Sequence, residues 1–207
     1  LAKSVDLAVH SYKDLPSVSA EGLVVAAVPA REDPSDAVLT VDEGVRDAEQ
    51  LLGLRSGVNV GTASARRQAW LRHIDSGLVV QHLRGNLPRR IQRLRDGDFD
   101  AILLASAGLD RLVESGVSLQ DVTIRRVHPA AFIPAPTQGA LALQIREGHQ
   151  TLEDVLTATC GDELTERCVA AERDLLRLVE GGCVVPFGAW CHRVSEDCYA
   201  LHAALER

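Results

Sequence analysis

Apolar positions along this chain change period several times, and each change marks an element. Val5 to His10 is a short apolar run that reads as a buried strand ending in the polar turn Ser11-Tyr12-Lys13-Asp14. Leu23 to Val28 repeats the pattern and is closed by Pro29 and the charged stretch Arg31 to Asp36. Val58-Asn59-Val60 runs into Gly61-Thr62-Ala63-Ser64-Ala65-Arg66-Arg67, which reads as strand, glycine turn and hydroxyl-capped helix start. Leu78 to Leu83 leads to Arg84-Gly85-Asn86, where Asn86 caps a helix that carries Pro88 in its first turn and stops at Gly97. Asp100 to Ala105 predicts another buried strand, followed by a helix through Leu112, and Val122 to Val127 one more strand. A proline-rich connection, Ile133 to Ala140, delivers the chain into the apolar run Leu141 to Ile145. A short helix is predicted over 152–159. A long one covers 163–178, where Leu164, Cys168, Ala171, Leu175 and Leu178 recur at three- and four-residue spacing. Gly181 and Gly182 end it, and Cys183 follows on a turn that Pro186 and Gly188 keep non-helical.

Strands alternating with helices predict parallel βαβ units and an α/β class, with ligands at the carboxyl ends of strands. The charged stretch 31–36 and the proline-rich 133–140 read as two crossings between domains. With 207 residues, 46% apolar and 25% charged, the composition is that of a soluble globular chain. No apolar run reaches membrane-spanning length, so no membrane partner is expected. Scattered histidines and five cysteines without a C-x-x-C predict no metal site and fit a reducing cytoplasm. The first residue is not Met, and the last ones stop inside an apolar pattern, so the chain reads as a fragment.

Charge sharpens the picture. Net charge is −7, yet Arg66, Arg67, Arg72, Arg84, Arg89, Arg90, Arg93 and Arg95 lie between Gly61 and Arg95, opposed only by Asp75. An arginine-dense segment in an acidic chain predicts a local anion site, not a nucleic-acid surface, and aromatics at 3% leave little for base stacking. Arg93 and Arg95 read as a solvated helix face. Arg66, Arg67, Arg84 and Arg90 sit near the turns, where their forks suit carboxylate or phosphate. Taken alone, Cys183 reads first as a buried structural thiol beside a helix stop.

Seven ordered stretches change that. Ala8 to Pro16 (AVHSYKDLP), Arg31-Glu32-Asp33-Pro34, Gly61 to Gln68 (GTASARRQ) and Leu83-Arg84-Gly85-Asn86 come first. Pro134-Ala135 with Gln138-Gly139-Ala140, Ala171-Glu172-Arg173 and Glu180-Gly181-Gly182-Cys183 follow. Together they resemble the porphobilinogen deaminase (hydroxymethylbilane synthase) family over nearly the whole chain.

The resemblance implies a periplasmic-binding-protein-like two-domain cleft plus part of a smaller third α/β domain. Residues 1–30 with 139–158 would be domain 1, 35–134 domain 2 and 162–207 domain 3. It implies a transferase of porphyrin and haem biosynthesis that joins four porphobilinogen molecules head to tail, losing ammonia each time, as a cytoplasmic monomer. Cys183 would carry a dipyrromethane cofactor through a thioether. Asp14 would be catalytic, stabilising the cationic azafulvene left when ammonia departs. Ser11, Lys13, Thr62, Ser64, Arg66, Arg67, Arg84 and Gln138 would bind the cofactor, with Arg84 and Arg90 binding substrate carboxylates. His10 would be structural. Ala63, Pro88 with Arg89, and Val184 depart from the family pattern. The competing expectation is a non-catalytic or decayed anion-binding module.

Overall fold

A computed structural model describes residues 5–179 and 186–206. It divides into two compact units, Leu1–Pro34 with Pro134–Leu205, and Ser35–Ile133 with Glu206–Arg207. The α/β class expected from the sequence holds in both.

In the second unit, strands β3 (Asp36–Thr40), β4 (Asn59–Gly61), β5 (Val79–Gln81), β6 (Ala101–Ala105) and β7 (Thr123–Val127) form one sheet in the order β5-β4-β6-β3-β7. β4 pairs in parallel with β5 and β6, as the βαβ reading requires, whereas β3 lies antiparallel to both β6 and β7. Side chains alternate across the pleat. Ala37, Leu39, Ile102 and Leu104 face one core, closed by Ile91 and Leu94 of α2 (Leu87–Arg95) and Leu109 of α3 (Ser106–Glu114). Val38, Ala101, Leu103 and Val60 face the other, closed by Leu71 of α1 (Ala65–Ile74) together with Phe132. A sheet covered on both faces explains why β3 and β6 are apolar without alternation.

The first unit carries β1 (Leu7–Ser11), β2 (Leu23–Ala27) and β8 (Leu141–Arg146) as an antiparallel sheet in the order β1-β8-β2. Helix α4 (Gln150–Cys160) places Leu156 against Ala27, Leu143 and Ile145, and α5 (Glu163–Leu178) places Val169 against Tyr12 and Ala142. Strands β9 (Phe187–Ser195) and β10 (Cys198–Leu205) pair as an antiparallel hairpin.

Two expectations need correction. β1 is an edge strand, and Val9 is 59% exposed, so it is not the buried strand its composition suggested. Asp36 belongs to no turn: it opens β3, a strand buried along its full length. The apolar stretch Cys198–Leu205 is strand β10, whose residues alternate between half-buried and exposed from Tyr199 on.

Two glycines are fixed by neighbours. A Cβ on Gly61 would lie 2.8 Å from the Phe99 ring, so the strand end that precedes α1 is bare because an aromatic lies against it. Gly139 has φ of 91°, and a Cβ there would sit 2.6 Å from the Glu32 carbonyl oxygen. Gly139→Ala is therefore expected to destabilise the first unit by about 1–3 kcal/mol through backbone strain and that clash. Urea unfolding followed at Trp190 checks it, and an unchanged midpoint would refute the strain.

Candidate functional site

Within the first unit, β1 hands the chain to a single 3-10 turn, Tyr12–Asp14. Tyr12 is buried, its N–H donates to the Ala140 carbonyl at 3.0 Å, and the Arg173 guanidinium lies 4.5 Å from its ring centre. Anchoring the middle of the motif in this way leaves Asp14 exposed. Lys13 Nζ reaches Gln138 Oε1 at 3.5 Å, so two segments far apart in sequence meet here. Gln138 is buried; its Nε2 donates to the Pro34 carbonyl at 2.8 Å and its own carbonyl accepts from Arg31 Nε at 2.8 Å. Ser11, Lys13, Asp14 and Gln138 therefore share one neighbourhood, with Ser11 opposite Leu141 in the sheet.

Behind that group stands Glu172, fully buried on α5. Its carboxylate accepts from Arg31 Nη1 at 2.6 Å and Nη2 at 3.2 Å, from Thr137 N at 2.6 Å and from Cys191 N at 2.7 Å. Four charge-assisted bonds satisfy both oxygens, which is what a buried carboxylate requires. Arg31 and Glu172 were legible only as family motifs. Their role is to join the segment after β2, the return crossing, α5 and β9.

In the second unit, Ser64 caps α1, its Oγ accepting from Arg67 N at 3.4 Å, and Thr62 Oγ1 accepts from Ser64 N at 3.2 Å. Both hydroxyls thus shape the helix start. Arg66 and Arg67, in the first turn, are 4% and 5% exposed and converge on Asp36, which is fully buried. Asp36 Oδ2 accepts from Arg66 Nη2 at 2.6 Å, and Oδ1 accepts from Arg67 Nε at 3.0 Å and Nη2 at 2.7 Å. Arg66 Nη1 also donates to the Ile133 carbonyl at 2.7 Å, and Arg67 Nη1 to the Leu103 carbonyl at 2.9 Å. Arg66 Nε is buried with no hydrogen-bond partner among the described residues.

Two guanidinium groups and one carboxylate leave one positive charge in excess. Burial lowers the pKa of Arg66, Asp36 opposes that, and Arg67 adds to it; guanidinium nonetheless stays charged. Arg90, half-buried on α2, has its pKa lowered by burial and then by the Arg67 charge, so a third guanidinium lies close to the pair. Its Nε donates to the Gly85 carbonyl at 2.7 Å. Arg84 is exposed and donates from Nε to His82 Nε2 at 2.8 Å. Arg93 and Arg95 are surface ion pairs with Asp98 and Asp121, as a solvated helix face implies.

Asp36 is the residue that reading the sequence missed. The run Ala37-Val38-Leu39 directly after it was the available signal. Cys183 and Val184 lie in 180–185, outside the described residues.

Arg66 and Arg67 thus spend their forks on Asp36 and two backbone carbonyls, leaving a net positive charge and one unpartnered buried N–H, while Arg84 and Arg90 reach further toward solvent.

The chain is similar to known proteins along most of its length. Residues 1–154 match the family model described as porphobilinogen deaminase, dipyromethane cofactor binding domain. The chain is 41% identical over 194 residues to a porphobilinogen deaminase of Syntrophobacter fumaroxidans, covering 94% of this chain and 59% of that protein. It is 48% identical to that of Mycobacterium leprae over 89% of this chain and 55% of the relative. It is 43% identical to a probable porphobilinogen deaminase of Methanocella arvoryzae over 95% of this chain and 61% of the relative. The chain thus spans little more than half the length of the curated relatives it matches.

Proposed function

Given that the chain belongs to the porphobilinogen deaminase family, we propose that it carries the hydroxymethylbilane synthase reaction. Four porphobilinogen molecules would be joined head to tail, with loss of ammonia at each step, to a linear tetrapyrrole. The observation that carries this reading is the Arg66–Arg67–Asp36 group, whose buried positive excess suits the carboxylates that every pyrrole of such a chain bears.

The family's cofactor is dipyrromethane, which matches the description of the domain found over residues 1–154. In this reading Cys183 holds it by a thioether, and Ser11, Lys13, Thr62, Ser64, Arg66, Arg67, Arg84 and Gln138 bind it. Held there, the dipyrromethane supplies the pyrrole carbon from which the chain grows. Arg84 and Arg90 take substrate carboxylates. Asp14, exposed on its fixed turn, accepts pyrrole N–H and favours the cation that develops as ammonia departs, since a preorganised carboxylate needs no reorganisation at that moment. Lys13, tied to Gln138, adds a positive charge for a carboxylate beside it. Residues 1–30 with 139–158, 35–134 and 162–207 then correspond to the family's three domains. Four cysteines described as free thiols suit a reducing cytoplasm, where the protein would act as a monomer.

Intact mass of the purified chain tests the reading. A gain equal to two linked pyrrole units, absent in Cys183→Ala, is the expected result. An unmodified mass after incubation with porphobilinogen would overturn it and leave an anion-binding module.

A further inference from the structure

We propose that Cys168 and Cys191 form a second cysteine site, separate from Cys183: a buried dithiol that closes to an intramolecular disulfide on reaction with a low-molecular-weight disulfide. The local sequence places both thiols. Thr165, Cys168, Val169 and Glu172 share the inward face of α5 at helical spacing, and Phe187, Ala189 and Cys191 share the inward face of β9 by strand alternation. Each cysteine is 5% exposed, and Cys168 stands one helical turn before Glu172 on the face of α5 that receives β9. The Cys191 N–H donates to Glu172, which fixes the strand against the helix at this point. Cys160 and Cys198, by contrast, are exposed. The inference uses no residue assigned to the tetrapyrrole reaction and stands or falls apart from it.

The chemistry balances as two exchanges. One protein thiolate attacks the small disulfide, forming a protein–small-molecule S–S bond and expelling one small thiolate. The second protein thiol, deprotonated, attacks that bond at the protein sulfur and expels the other small thiolate. Two protein thiols are oxidised, one small disulfide is reduced to two thiols, and the two protons pass to the leaving thiolates. The product ties α5 to β9, the two elements that bracket residues 179–186.

Access and charge set the rate. The groups facing the pair are Glu172, Asp162 and Arg31. Burial pushes Cys168 up, and it pushes Cys191 up to about 12, where the neighbouring Cys168 and Glu172 push the same way and Arg31 opposes. Thiolate is therefore scarce at neutral pH. Closure should be slow and should quicken by about tenfold for each pH unit, with no levelling where an ordinary thiol titrates.

The test incubates the whole chain with millimolar glutathione disulfide across a pH series, then quenches in acid, denatures, alkylates free thiols and maps peptides by mass spectrometry. The expected result is early glutathione capping of Cys160 and Cys198. Later, the Cys168 and Cys191 peptides appear linked, two hydrogens lighter than the reduced pair and released by dithiothreitol. The thermal midpoint should rise on oxidation in the wild type and not in Cys168→Ala or Cys191→Ala. Full alkylation of both Cys168 and Cys191 after Cys160 and Cys198 have reacted would overturn the proposal. A bridge from either to Cys183 would overturn it as well. Peptide mapping of the wild type decides the matter even where a variant folds poorly.

Discussion

Asp36→Ala is expected to destabilise the second unit by about 3–5 kcal/mol, the cost of breaking a buried ion pair from one side. Removing the carboxylate takes away three charge-assisted hydrogen bonds at once. Arg66 and Arg67 are then left as two uncompensated charges, each about 95% shielded from water. Neither can escape by losing its proton. Asp36→Asn should lose most of the same energy, since its shape survives and its charge does not. The two tryptophans allow a clean measurement, one in each unit: Trp70 packs against Phe132 with ring centres 6.0 Å apart, and Trp190 lies on β9. In a Trp190→Phe background, urea unfolding followed by Trp70 fluorescence reads the second unit. A loss below about 1 kcal/mol, the range of exposed pairs, would mean that water already reaches the guanidinium groups.

Asp14→Asn is expected to act on rate and leave the fold alone. Asp14 is exposed at the end of its turn. Its replacement should therefore change stability by no more than about 0.5 kcal/mol. If its carboxylate opposes a developing cation, turnover of porphobilinogen should fall by about 10²–10³, with KM nearly unchanged, because the interaction strengthens only as charge appears. Asp14→Glu should recover part of the rate. The mass gain on Cys183 separates failure of chemistry from failure of assembly. Equal rates for wild type and Asp14→Asn would remove Asp14 from the mechanism.

How much of this was legible beforehand follows from the range of the forces involved. α1 and α2 were readable because Ser64 and Asn86 supply local caps, with bonds only three residues long. The 163–178 helix appears with the bounds its periodicity gave. Asp36 was not readable, because its burial depends on partners 30 and 31 residues away, and an isolated acid after a proline resembles a turn. Arg31 and Glu172 are separated by 141 residues, so nothing local announces their pairing. The exposure of Val9 is a property of sheet order, which a single strand's composition does not contain. At the site, the turn bearing Asp14 and the arginine segment were visible as residue types, but the counter-ion that orients Arg66 and Arg67 was not.

The Glu172 junction has a consequence for the order in which a ribosome makes this protein. The second unit is essentially contiguous, Ser35–Ile133, and holds everything its sheet needs. The first unit begins with Leu1–Pro34, yet Arg31 meets its carboxylate only when residue 172 emerges, and β9 docks there later still. At synthesis speeds of about 5–20 residues per second, β1 and β2 wait roughly 10–30 s for their partners. The second unit can finish folding during that interval. A nascent chain stalled just after Ile133 has emerged should therefore resist protease over Ser35–Ile133 while residues 5–34 are still cleaved.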